Sequence, residues 1–279
     1  AQPGAKDEVV ETIQTATDET LYFFTNRGNC FMLDVTRIPE TMKLKDRGSL
    51  LTGLIAGLAD HEHAVALVCV KSDEMAKKGD FLFITKNGQV KRTAAAEYGI
   101  RRARFAAINL KGNDELVGMV QVDPEDKDDI ILITQLGMAL RFKLDTVSCT
   151  GRATAGVRGI DVGKDDEVRW FEIPKVGDML FVLSDRGFGK RMLSDDVERQ
   201  GRAGKGQKLL PMNKTGETGT QVAVCLNVTG AKSVRVEQKH GHTVLLNMDE
   251  IAVERRASKG QLLVNVLLDD VVQYGALTA

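Results

Sequence analysis

The chain has 279 residues and a formal net charge of −1, with 43% apolar, 28% charged and 5% aromatic residues. The apolar share supports a buried core under an ordinary soluble surface. So few aromatics disfavour a stacking platform for single-stranded nucleic acid, and no run of 18 apolar residues is present to span a membrane. The start, Ala1-Gln2-Pro3-Gly4, has neither a methionine nor the basic-then-apolar profile of an export signal, and reads as part of a longer protein. A lone apolar strand, Asp7-Glu8-Val9-Val10, follows without a hairpin of its own, as if it ended a module whose other strands precede the chain.

From there the sequence repeats. A first apolar strand is expected at Leu21–Thr25, Phe81–Thr85, Ile130–Thr134, Leu180–Ser184 and Ser233–Glu237. Each ends in a turn closed by a glycine, at Gly28, Gly88, Gly137, Gly187 and Gly241, and returns as a second strand. A Gly/Arg loop leads to a third strand, at Leu50–Leu54, Ala106–Leu110, Val157–Val162, Gln207–Leu210 and Gln261–Val266. The fourth strands are His63–Val70, Asp114–Val120, Asp166–Ile173, Thr220–Val228 and Asp270–Gly275. Four strands recurring about every 50 residues predict an all-β, propeller-like array, because no single hairpin buries its own apolar face. The expected blades are residues 15–70, 78–122, 128–173, 177–228 and 231–277 of one domain, 1–279.

Cys30, Cys69, Cys149 and Cys225 form no C-x-x-C pair, which fits a reducing cytosol and argues against zinc or a disulfide framework. The H-x-H pairs His61/His63 and His240/His242 lack further ligands at metal-site spacing and read as surface histidines. The charge is patterned. Residues 28–48 carry +1, 88–105 carry +4, 137–156 and 187–206 carry +2 each, and 241–260 carry 0, leaving −10 for the rest of the chain. Positive charge therefore recurs at one position of the repeat, where stacked modules would align it.

The segments Phe81-Leu82-Phe83-Ile84-Thr85-Lys86-Asn87-Gly88-Gln89-Val90-Lys91-Arg92-Thr93, Gly151-Arg152-Ala153-Thr154-Ala155-Gly156-Val157-Arg158-Gly159-Ile160 and Asp185-Arg186-Gly187-Phe188-Gly189-Lys190-Arg191 carry a resemblance. Together with Leu21–Gly28 and Arg37–Glu40, they resemble successive blades in the C-terminal domain of the A subunit of bacterial type IIA topoisomerases, DNA gyrase and topoisomerase IV. The resemblance covers about residues 7–275 and implies a β-pinwheel, whose blades exchange strands and whose basic rim bends duplex DNA. It also implies that cleavage and ATP hydrolysis lie elsewhere, with ATP and magnesium on other domains or subunits. Implied partners are duplex DNA, the rest of a homodimeric A subunit, and an ATPase B subunit, in a cytoplasmic, nucleoid-associated complex. Tyr22, Tyr98 and Tyr274 stand in no recognisable catalytic setting, and no Walker-type loop is present.

Two features look more like topoisomerase IV of Gram-positive type: Lys43-Leu44-Lys45-Asp46-Arg47-Gly48, and Arg101-Arg102-Ala103-Arg104 with no glycine among its arginines. Against gyrase's glycine-rich box Q-R-R-G-G-x-G, the nearest match is the imperfect Gln200-Gly201-Arg202-Ala203-Gly204-Lys205-Gly206. Topoisomerase IV is the preferred parent, gyrase the alternative, and a protein-interaction platform the alternative of another class. Candidate DNA-binding residues are Lys45 and Arg47 in the first module and Lys91, Arg92, Arg101, Arg102 and Arg104 in the second. The third offers Arg141, Lys143, Arg152 and Arg158, and the fourth Lys190, Arg191, Arg202 and Lys205. In the fifth, Arg255, Arg256 and Lys259 are offset by Asp249, Glu250 and Glu254, which makes it the weakest. Arg158 is as readily a blade-to-blade ion pair as a phosphate ligand.

Overall fold

The hairpins expected from the glycine spacing all form. The structure, a computed structural model, describes residues 12–42, 48–125 and 127–278. The strand expected at Asp7–Val10 and the cations Lys45 and Arg47 lie outside the described residues. The first module holds β1 (Thr20–Thr25), β2 (Asn29–Asp34), the one-turn helix α1 (Leu51–Leu54) and β3 (Ala64–Val70). The second holds β4 (Asp80–Thr85), β5 (Gln89–Ala94), β6 (Arg104–Ala106) and β7 (Leu116–Val122). The third holds β8 (Asp129–Thr134), β9 (Met138–Lys143), β10 (Val157–Arg158) and β11 (Val168–Glu172). The fourth holds β12 (Met179–Ser184), β13 (Phe188–Leu193), β14 (Gln207–Lys208) and β15 (Val222–Asn227). The fifth holds β16 (Ser233–Gln238), β17 (Thr243–Asn247), β18 (Gln261–Leu262) and β19 (Val272–Leu277).

These strands assemble into antiparallel sheets of order β3-β1-β2-β6, β10-β5-β4-β7, β11-β8-β9-β14, β15-β12-β13-β18 and β17-β16-β19. Each four-stranded sheet takes its short outer strand from the following module, so the strands are exchanged. In the first sheet Asn29, Cys30 and Phe31 of β2 pair with Ala106, Phe105 and Arg104 of β6. Ala139 and Met138 of β9 pair with Gln207 and Lys208 of β14 in the same way.

The third strands depart from expectation in two ways. In the first module Leu50–Leu54 is not a strand, since Leu51–Leu54 forms a helical turn. Leu51, Leu54 and Leu58 recur every three or four residues, and with Ile55 they cover Phe23, Phe31 and Leu33, which a strand's period of two could not do. The other third strands are two or three residues each, shorter than expected, because only the stretch facing the preceding hairpin makes ladder bonds, and β6 is also shifted, sharing only Ala106 with the expected Ala106–Leu110.

The backbone divides into two compact units, residues 1–85, 90–125 and 148–157 in one, and 86–89, 126–147 and 158–279 in the other. The first unit's core is aromatic. Phe24 meets Phe81, Phe83 and Tyr98 at centroid distances of 5.6, 5.7 and 5.6 Å, and the buried Tyr98 hydroxyl donates to Ala107 O at 2.9 Å. Rings buried this completely each contribute about 1.5–3 kcal/mol. The second unit's cores are mostly aliphatic, one around Ile131, Ile133, Leu180 and Val182 and one around Val234, Val236, Leu246 and Met248 with the buried Phe181.

The turn glycines explain how a neighbouring strand comes so close. Gly187 has φ +82°, and a Cβ placed there would sit 2.0 Å from Val264 O. Its own carbonyl accepts from Leu263 N and Val264 N, at 2.8 and 3.2 Å. The same arrangement recurs at Gly28 with Ala107 and Ile108, and at Gly88 with Gly159 and Ile160. Glycine is used here both for its positive φ and for the missing side chain.

Candidate nucleic-acid interface

The cations of the return strands are largely structural. Four residues after the turn glycine come Arg92, Arg141 and Arg191. Arg92 Nε donates to Asp80 Oδ2 at 2.6 Å, with both side chains only 9% exposed. Arg141 Nε donates to Asp129 Oδ2 at 2.7 Å, and the same oxygen accepts from Arg199 Nε at 2.9 Å. Arg191 has no such acid and donates to Ile251 O at 2.7 Å. These residues also bridge to a neighbouring loop, Arg92 with Cys149, Arg141 with Arg199 and Arg191 with Val253.

One residue earlier stand Lys91 and Lys190, 1% and 0% exposed. Lys91 Nζ donates to Ala107 O at 3.0 Å and to Arg152 O. Lys190 Nζ donates to the carbonyls of Arg255, Arg256 and Ser258. Burial lowers the pKa of both lysines to about 8. As folded, Lys91, Lys190 and Arg92 cannot reach a DNA phosphate, which corrects their place among the candidates: the two lysines are enclosed by the loops they hold, and Arg92 is buried against Asp80 and Pro124 O. Arg141 and Arg191 are half-buried and engaged in the same manner.

The Gly/Arg loops lie across these strands. Arg152 donates to Ala106 O, Arg202 to Arg158 O and Arg256 to Lys208 O, the last at 2.9 Å, so one arginine per loop clasps the preceding outer strand. Arg152 also stacks over Phe105, and Arg104 over Phe31, each 5.4 Å from the ring centroid. The loop arginines 152, 202 and 256 are thus partly committed to packing, with their guanidinium edges still near the surface.

What remains exposed is a smaller set. Arg101, Arg102 and Arg104 are exposed in the first unit, and Lys143, Arg158, Lys205, Arg255 and Lys259 in the second. Arg158 lies 3.7 Å from Asp161, an exposed pair of little strength. Arg101 borders a recess of about 430 Å³ shared with Asp18, Asp34 and Asp73. Lys205 and Lys259 occupy the same repeat position, 18 residues after their turn glycines. Lys208 was not among the candidates, yet it is exposed on β14 at the position equivalent to Arg158, and that equivalence was readable in the sequence. Among the described residues no group of three or more His, Cys, Asp or Glu is placed to hold a metal ion, and no helix is long and apolar enough to cross a membrane.

The geometry therefore offers spaced cations on loops anchored by exchanged strands. The chain matches the DNA gyrase C-terminal domain family, described as a β-propeller, at residues 79–123, 128–175 and 178–219. The A subunit of DNA gyrase from Deinococcus deserti is 33% identical over 263 residues, covering 92% of this chain and 31% of that protein. The A subunit of DNA topoisomerase 4 from Bacillus subtilis is 34% identical over 206 residues, covering 73% of this chain and 25% of that protein. The crystal structure of the C-terminal domain of DNA topoisomerase IV has a TM-score of 0.83 at 25% identity, covering 93% of this chain and 79% of that one. The chain spans less than a third of the length of the two relatives. Three matched repeats, relatives aligned along most of the chain and strand-exchanged sheets agree: the chain belongs to the family of C-terminal β-pinwheel domains of the A subunits of DNA gyrase and topoisomerase IV.

Proposed function

We propose that this chain binds and bends duplex DNA without sequence preference and without catalysing a reaction itself, as a module of a type IIA topoisomerase A subunit. The observation that carries this reading is the exposed cations of the loops and short outer strands, Arg101 and Arg102 in one unit and Arg158, Lys205, Lys208, Arg255 and Lys259 in the other. Duplex DNA carries a charge about every 1.7 Å along its axis, so bending it needs spaced cations and no base readers. The rest of the A subunit, an ATPase B subunit, ATP and magnesium belong to the parent complex in the cytoplasm, away from this surface. Both parent enzymes have relatives among the matches, and this reading holds for either.

Binding of a labelled random-sequence duplex of about 40 base pairs should weaken with salt, with a log–log slope steeper than about −3. A salt-independent affinity, or none at low salt, sinks the reading.

The cations should also separate by role. Changing Arg101 and Arg102 together to alanine should weaken binding by about tenfold at low salt, as expected when two phosphate contacts are removed. Stability should change by less than about 1 kcal/mol, since exposed charges add little to folding. Melting curves and anisotropy titrations on the same samples check both halves. An unaltered affinity would move the interface away from this loop.

A further inference from the structure

Lys190 is buried where it has no phosphate to meet. Its Nζ lies 3.0 Å from Arg255 O, 2.6 Å from Arg256 O and 2.6 Å from Ser258 O. An ammonium has three N–H donors, and here each has an acceptor. Those acceptors belong to the loop that displays Arg255 and Lys259 on the surface. Lys91 repeats the arrangement toward Ala107 O and Arg152 O, with its ammonium 5.5 Å from the Phe83 ring centroid. At the equivalent positions the first module has Phe31, under the Arg104 guanidinium, and the third has Leu140. In these four modules the position thus faces the next module's loop or outer strand, and an apolar residue serves the fold there in two of them. Burying a cation beside Arg256 is costly, so its use at Lys190 calls for a reason beyond filling space.

We propose that Lys190 is a positioning residue for DNA binding: its ammonium gathers the carbonyls of residues 255, 256 and 258, and so fixes where Arg255 and Lys259 stand against the phosphates. This rests on the DNA-binding reading above. The geometry also predicts a pH signature. The charged groups that act on Lys190 are Glu254 and Arg256 from the loop and Asp196 from the turn after β13. Burial outweighs the two acids and lowers the lysine pKa from 10.5 to about 8. Above that pH a neutral amine has two donors for three carbonyls, and the loop loosens. Fold stability runs the other way. Between about 8 and 10.5 the unfolded chain holds the extra proton, so this group's contribution to stability rises with pH.

Lys190→Leu introduces the residue that the third module carries at this position, and Lys190→Met keeps the chain length without the charge. Each is compared with the unaltered protein by duplex anisotropy titrations in salt, amide hydrogen exchange over residues 252–260, and melting. Both variants should melt no lower than the parent and exchange faster over 252–260. Their salt slope should be smaller by about 1, the equivalent of one phosphate. From about pH 7 to about pH 9 the parent should lose about fivefold more affinity than either variant. Unchanged exchange and slope in the variants overturn the positioning role, as does a variant that melts far lower yet keeps full affinity. A parent chain that binds no duplex instead sinks the DNA reading, and this proposal with it.

Discussion

Replacing Asp80 by alanine should lower the unfolding free energy by about 3–5 kcal/mol, because the Arg92 guanidinium is then left without its counter-charge in a buried site. Arg92 Nε donates to Asp80 Oδ2, and Arg92 Nη2 keeps only Pro124 O, at 3.0 Å. One carbonyl dipole does not replace a carboxylate. The double change Asp80→Leu with Arg92→Met should recover most of the loss, since a buried ion pair often does no better than apolar side chains of similar volume. Urea denaturation of Asp80→Ala, of Asp80→Leu and Arg92→Met singly, and of the double checks this, provided the dependence on denaturant stays constant. A loss below about 1 kcal/mol in Asp80→Ala would mean that water reaches the guanidinium and that the pair behaves as a surface contact.

Gly206→Ala should cost on the order of 2–4 kcal/mol, the sum of a left-handed backbone and a forced clash. Gly206 has φ +78°, and a Cβ there would lie 2.3 Å from Ala139 O and 2.7 Å from Ala139 C. Backbone cannot rotate out of the way as a side chain can. Relief requires β14 to lift from β9, which undoes the pairing of Gln207 with Ala139. Faster hydrogen exchange at those residues should therefore accompany the drop in melting temperature, and weaker duplex binding should follow from the displaced Lys205. In the same loop Gly201 has open space around it, so Gly201→Ala should stay within about 0.5 kcal/mol. Equal costs at the two glycines would show that loop flexibility, and not the close approach to β9, sets the requirement.

The hairpins were legible because two local signals coincide, a run of buried apolar residues and a glycine where the turn needs positive φ. The expected Phe81–Thr85 and Ile130–Thr134 differ from the observed strands by one residue each. Charge was harder to read. A repeat preserves any residue that the shared geometry uses, so the recurrence of Arg92, Arg141 and Arg191 marked a shared bond as readily as a shared exposed position. Their partners were in view: Asp80 and Asp129 each stand eight residues before the turn glycine, diagonally across the hairpin from the arginine. At the same place the fourth module has Met179, and Arg191 turns to a carbonyl instead. For Lys190 no local signal existed, because the carbonyls that enclose it come from a loop more than 60 residues further along, and Lys91 likewise meets Arg152 O from a distant loop besides the nearer Ala107 O.

Strand exchange also sets a timetable for the growing polypeptide. The hairpin of β1 and β2 is complete by Asp34, yet its outer partner β6 begins only at Arg104. Likewise β9 ends at Lys143 and waits for Gln207, and β13 ends at Leu193 and waits for Gln261. At ribosomal speeds of about 5–20 residues per second, each open edge persists for roughly 3–14 s before its neighbour emerges. An unpaired edge is where one nascent chain can borrow a strand from another on the same message.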